Sequence, residues 1–151
     1  MTAALLTPTQ RLAVWTRSVV LPDLTRLAPL ERLLRWYTPR GPSGAWLHLS
    51  EREILAHIDR HLAGCRRMRG RRCLRRGLLA FYFLRLAGHP AVLHVGVFAR
   101  PQGRTLAHCW TTVGELVDDP PQAPCMPVLE WRGEAGGREP SSSPLSLASG
   151  H

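Results

Sequence analysis

The sequence predicts an α+β fold, in which a helical N-terminal part packs on a small core of one buried helix and an antiparallel sheet. Three observations carry this. Apolar residues recur at helical spacing as far as Leu86, and from Ala91 the spacing changes to two in a Val-rich stretch. Gly88 and Pro90 mark the change, one able to end a helix and the other unable to continue it.

The elements follow in order. Residues 8–38 read as two helices. Leu12, Trp15 and Val19 form the apolar face of the first, which Pro22 is expected to stop. Leu24, Leu27, Leu30, Leu33, Leu34 and Tyr37 form the face of the second, which Pro29 kinks or restarts. The segment 39–44 is a Pro/Gly loop. Ser50 and Glu53 make a capping box that opens a third helix, with Ile54, Leu55, Ile58 and Leu62 on one face. Gly64 and the arginine run 66–72 end it. A fourth helix starts at Cys73, and Leu74, Leu78, Phe81, Tyr82 and Leu86, thickened by Leu79 and Phe83, predict burial on most sides.

Strands are predicted at 91–99, 106–113 and 116–119, with a turn at 100–104, a tight turn at Gly114-Glu115 and a short further strand at 127–131. The organisation is therefore an N-terminal helical segment (1–49), a core (50–132) and a disordered tail (133–151) rich in Gly, Ser and Pro.

Bulk composition narrows the function. A hydrophobic fraction of 44% supports a packed core over disorder. No apolar run reaches the ~18 to 20 residues of a membrane span, and the N-terminus lacks the basic start of a signal peptide. A cytoplasmic location is expected. Four cysteines, Cys65, Cys73, Cys109 and Cys125, are too sparse for a secreted disulfide scaffold. The formal net charge of +9 is carried by arginine alone and favours an acidic partner. There is no Asn, so no catalytic triad here can use one.

Thiol chemistry is the strongest functional signal. A cysteine attacks as thiolate, and helix N-termini and nearby cations lower its pKa from ~8.5. Cys73 has both, standing at a helix start between Arg69, Arg71 and Arg72 on one side and Arg75 and Arg76 on the other. Of seven histidines, His108 falls inside a predicted strand, which holds an imidazole firmly. A two-residue turn at Gly114-Glu115 pairs Val113 with Leu116 and Trp110 with Asp119. Asp119 is then a diagonal neighbour of His108 and the preferred orienting acid. Asp118 is the alternate, since one residue of register reverses the choice.

The run CLRRGLLAFYFLRLAGHPAVLHVGV followed by AHCWTTVGELVDD resembles the core of lasso-peptide leader peptidases, which are transglutaminase-like cysteine proteases. The resemblance covers roughly residues 50–119. It rests on a Cys opening a helix, a Gly-x-Pro corner, a Gly-Val pair, an Ala-His-x-Trp motif and an Asp on the next strand. Two departures stand out: Cys109 occupies the usual Ala position, and the hairpin turn is one residue shorter. The resemblance implies a transglutaminase/papain-like core, a triad of Cys73, His108 and Asp119, and cleavage of a leader from a ribosomal precursor peptide. No cofactor or metal is expected. The implied partners are the precursor, a separate leader-binding recognition protein and an ATP-dependent macrolactam cyclase. Arg71, Arg72, Arg75 and Trp110 are the expected substrate-binding side chains.

Blander readings compete. The arginine cluster is also what a solvated basic face looks like, and nucleic-acid binding would need aromatics beside it; no nucleic-acid partner is expected. His57 and His61 have metal-binding spacing without the acid of a HExxH motif. A non-catalytic peptide-delivery module of the same fold is the main alternative, and an amine acyltransferase is close in chemistry.

Overall fold

The computed structural model describes residues 6–65, 72–99 and 105–133. The predicted turn at 100–104 and almost all of the predicted tail lie outside these residues. Four helices precede four strands: α1 (Pro8–Leu27), α2 (Leu30–Trp36), α3 (Glu51–Ala63), α4 (Arg72–Leu86), β1 (Val92–Ala99), β2 (Thr105–Val113), β3 (Leu116–Asp118) and β4 (Met126–Trp131). The strands form one antiparallel sheet in the order β3-β2-β1-β4, a Greek-key arrangement. This is the mixed helical and antiparallel-sheet architecture that the sequence predicts.

α1 differs from its sequence pattern in two ways. It passes through Pro22, and its buried face is Gln10, Val14, Ser18, Leu21, Pro22 and Thr25. Leu12 and Trp15 are 58% and 52% exposed. Proline removes one amide and crowds the turn before it, but tertiary contacts offset the loss. Leu21 is fully buried, and the Pro22 carbonyl accepts from the Thr25 hydroxyl at 3.0 Å and from Arg75 Nη2 at 3.4 Å. The other buried polar groups are also satisfied. Ser18 Oγ donates to the Val14 carbonyl at 2.7 Å, and Gln10 Nε2 donates to the Ala45 carbonyl at 2.5 Å. α1 starts on a Thr7–Gln10 capping box. Pro29 is the N-cap of α2, so it separates two helices.

α3 is the helix the sequence describes. Ser50 and Glu53 form the capping box, and Ile54, Leu55, Ile58 and Leu62 are buried. α4 lies between α1 and α3 on one side and β1 and β2 on the other. Leu78, Leu79, Phe81, Phe83 and Leu84 are at 0% exposure, and each buried side chain of this size contributes about 1.5–3 kcal/mol. Trp46 caps this core on Phe83, ring centroids 4.7 Å apart. Arg17 stacks 3.7 Å over the Tyr82 ring and donates to its hydroxyl, while Tyr37 Oη donates to the Arg17 carbonyl at 3.0 Å.

Gly77 sets how close α4 comes to the sheet. A Cβ there would lie 2.9 Å from Cys109 Sγ and 3.1 Å from Leu93 Cδ1. The sheet face under α4 is Leu93, Cys109, Thr111 and Val113, all buried. Side chains alternate along a strand, so His94, His108, Trp110 and Thr112 stand on the other face. No helix among the described residues is long and apolar enough to cross a membrane.

Candidate functional site

Cys73 is the second residue of α4 and half-buried. Its position follows from local sequence: the apolar, helix-forming run 74–86 carries no proline or β-branched residue, and Gly77 lets its first turns press onto β2. The intrahelical ladder leaves the amides of that first turn free to meet an anion. Cys73 Sγ lies 4.0 Å from the main-chain oxygen of Ala107, as donor to acceptor. Ala107 immediately precedes His108. A carbonyl oxygen sits about 2.8 Å from the next Cα, so the sulfur is within about 7 Å of the His108 Cα.

His108 projects on the sheet face it shares with Trp110. Their rings are near-parallel, centroids 6.0 Å apart, and Trp110 stacks in turn on His94 at 5.3 Å. His94 Nε2 meets Thr112 Oγ1 at 2.8 Å, and burial holds its pKa below the usual imidazole value. His108 Nε2 lies 2.8 Å from the main-chain oxygen of Asp119. A carbonyl only accepts, so Nε2 carries the proton and Nδ1 is left as the basic nitrogen. Among the described residues no hydrogen bond joins Cys73 to His108.

The two candidate acids have separate places. The β2–β3 register is that of a two-residue turn, with Val113 opposite Leu116 and Thr111 opposite Asp118. Asp118 therefore faces α4, where both its oxygens meet the Arg76 guanidinium. Arg76 also grips Asp59 of α3, at 2.7 and 2.9 Å. The Asp59 hydrogen bonds, the largest contribution, together with those to Asp118, hold the guanidinium charged against the cost of its burial. Asp119 has φ +56°, a left-handed conformation rare outside glycine and costing on the order of 1 kcal/mol. What it offers His108 is its backbone carbonyl; its carboxylate is not the contact the sequence reading expected.

The other expected site residues divide. Arg72 is exposed beside Cys73. Arg75 cannot bind substrate as anticipated, because it is 2% exposed and its Nε donates to Thr25 Oγ1 at 3.1 Å, tying α4 to α1. One turn of helix separates these fates: position 72 points to solvent and position 75 into the α1–α4 seam. Arg71 lies outside the described residues. Trp110 is half-buried between the two imidazoles. Cys109 lies under α4, and burial above all, then the charges of Cys73 and Asp119, push its thiol pKa up, so it is a poor nucleophile. Gly96 pairs with His108 across the ladder, and a Cβ there would lie 2.4 Å from Cys125 Sγ and 3.0 Å from the Met126 carbonyl. Two thiols thus approach β2 and β1 near His108, Cys73 at the helix mouth and Cys125 over Gly96. Sequence reasoning missed the ion pairs of Arg76 and the place of Cys125; an arginine three residues after the helix-opening Cys, one of seven between positions 66 and 76, carries no signal of its own.

The family model for the transglutaminase-like superfamily matches residues 16–125, well over half of the chain. The chain belongs to that superfamily. No curated protein and no solved structure matches it. The match takes in α4, the β1–β2–β3 sheet and every candidate residue named above, and ends before β4. Transglutaminase-like folds commonly serve cysteine peptidases and transglutaminases. Cys73 on α4 and His108 on β2 both lie within the matched residues.

Proposed function

We propose that the chain is a cysteine peptidase that removes the leader from a ribosomally made lasso-peptide precursor, with Cys73 as nucleophile and His108 as base. The observation that carries this is the contact of Cys73 Sγ with the carbonyl next to His108, at the mouth of a buried helix. With Nε2 on the Asp119 carbonyl, Nδ1 is the nitrogen left for the sulfur, and closer approach of the helix mouth to β2 joins the pair; catalytic hydrogen bonds often tighten only with substrate bound. The thiolate attacks the scissile carbonyl, forming a C–S bond and an oxyanion that the α4 amides face. Collapse breaks the C–N bond, and the His108 imidazolium protonates the leaving amine. Water, deprotonated by His108, then attacks the thioester, and the acid and the thiolate are released. The basic surface, with Arg72 beside the thiol, suits an acidic leader, delivered by a separate recognition protein; an ATP-dependent cyclase then uses the freed amine.

One observation favours a second reading, a peptide-delivery module without catalysis: His108 shares a sheet face with Trp110 and His94, whereas Cys109, its neighbour, faces α4. Cys73→Ala separates the two. Loss of precursor cleavage, with the circular dichroism spectrum retained, supports the peptidase; undiminished cleavage by that variant would falsify it. Rapid alkylation of Cys73 near pH 6, with Cys125 slow, is the substrate-free counterpart.

A further inference from the structure

We infer that Arg76 is a positioning residue for the proposed base, acting on His108 through Asp118 and the backbone of Asp119. The inference rests on the peptidase reading and extends it to a residue outside the Cys–His pair. Three links make the chain. Arg76, half-buried on the first turns of α4, binds both carboxylate oxygens of Asp118. The residue after Asp118 is held at φ +56° although it is not glycine, and proline follows at 120, a residue that itself disfavours a helical-region neighbour before it. The carbonyl of that same residue accepts from His108 Nε2 at 2.8 Å.

Asp is among the few non-glycine residues that enter the left-handed region readily, and here that turn accompanies the contact of the Asp119 carbonyl with His108. β3 is only three residues long, Leu116–Asp118, and its last ladder pair is Thr111 with Asp118. Two prolines at 120 and 121 cannot donate to β2, so the sheet itself does not fix Asp119. The Arg76 grip on Asp118 is the anchor directly before it. Arg76 and Cys73 share α4, three residues apart, so one rigid helix sets the thiol and, through Asp118, the tautomer of the base. Asp59 of α3 holds the other side of the guanidinium and keeps its plane toward Asp118.

The groups around His108 that bear on its titration are Asp119 on β3's end, His94 across Trp110 on β1, Cys125 before β4, and Cys73 with Arg72 on α4. None of these is altered by the test. The full chain is alkylated with iodoacetamide from pH 4 to 10, and labelling at Cys73 is read by peptide mass spectrometry. On the peptidase reading, labelling of the wild type at Cys73 should keep an acid-side limb at pH 6. Asp118→Asn and Arg76→Met should lose that limb, with labelling at pH 6 falling at least tenfold. Asp59→Asn, which removes an ion-pair partner of Arg76 but leaves Asp118 bound, should keep it. Should Arg76→Met fail to fold, the near-isosteric Asp118→Asn carries the comparison. Folded Asp118→Asn with an unchanged profile overturns the inference, and so does an Asp59→Asn profile moved as far as that of Asp118→Asn, which would mark the cluster as structural only. A wild type without the limb overturns the peptidase reading itself, and the inference falls with it.

Discussion

Gly77→Ala tests the seating of α4, on which the place of Cys73 depends. In an exposed helix this change stabilises by about 1 kcal/mol, because glycine is the poorer helix former. Here the new methyl would lie 2.9 Å from Cys109 Sγ and 3.1 Å from Leu93 Cδ1. Overpacking of this kind costs about 1–3 kcal/mol, so the net result is a destabilisation between about 0 and 2 kcal/mol. Removing the sulfur should reverse the sign. In a Cys109→Ala background only Cys109 Cβ, at 3.7 Å, and the tip of Leu93 remain, the first an ordinary contact and the second able to shift by a few tenths of an ångström. Gly77→Ala should then stabilise by about 0.5–1 kcal/mol. The coupling between the two positions is therefore about 1–3 kcal/mol, measurable as a double-mutant cycle by urea denaturation. Additive changes, or a Gly77→Ala variant more stable than wild type in the native background, would show that α4 does not rest on β2 as described.

Three further outcomes are expected. Tyr37 is buried, which pushes its pKa from 10 up to about 12, so its contribution is complete below pH 10 and is lost as pH rises towards 12. Two pH units correspond to roughly 2–3 kcal/mol, and Tyr37→Phe should flatten the alkaline limb of stability against pH; an unchanged limb refutes this. His94 and His61 are both held below the ordinary imidazole pKa by burial, so the unfolded chain binds their protons first and stability falls as pH drops below about 6.5. His94→Phe should make that acid limb shallower in thermal melts at pH 5 and 7, and an equally steep limb would count against the burial. Arg75→Met should lower the denaturation midpoint, leaving Thr25 and the Pro22 carbonyl without that donor at a cost of about 1–3 kcal/mol, whereas Arg72→Met should leave it unchanged; equal effects would contradict the different burial of the two arginines.

Local chemistry made much of the fold legible. The Ser50–Glu53 box fixes where α3 begins, and the Gly114-Glu115 turn fixes the Val113–Leu116 register, because both are decided by residues within a few positions of each other. The Cys at the helix start and the His on the strand were legible for the same reason. α1 was not. Its inward face carries Gln10, Ser18 and Thr25, whose polar atoms are matched by Ala45, Val14 and Arg75, and hydropathy alone assigns such residues to solvent. Nor could composition tell Arg72, Arg75 and Arg76 apart, since their burial depends on which helix lies over each turn. That His108 meets the backbone carbonyl of Asp119 was not legible for a related reason: a backbone carbonyl carries no signature in the amino-acid sequence.

The strand order β3-β2-β1-β4 has a consequence for how the molecule assembles. β1, β2 and β3 join through successive antiparallel pairings, whereas β4 must travel back past both of its predecessors to reach the far side of β1. Pairing Met126 with Val97 brings together residues far apart in the chain, which costs more chain entropy than closing a hairpin, and β4 carries exposed Met126 and Val128, which contribute little burial in return. β4 should be the last strand to dock and the first to detach, so its amides should trade hydrogen for deuterium well before those of β1 and β2.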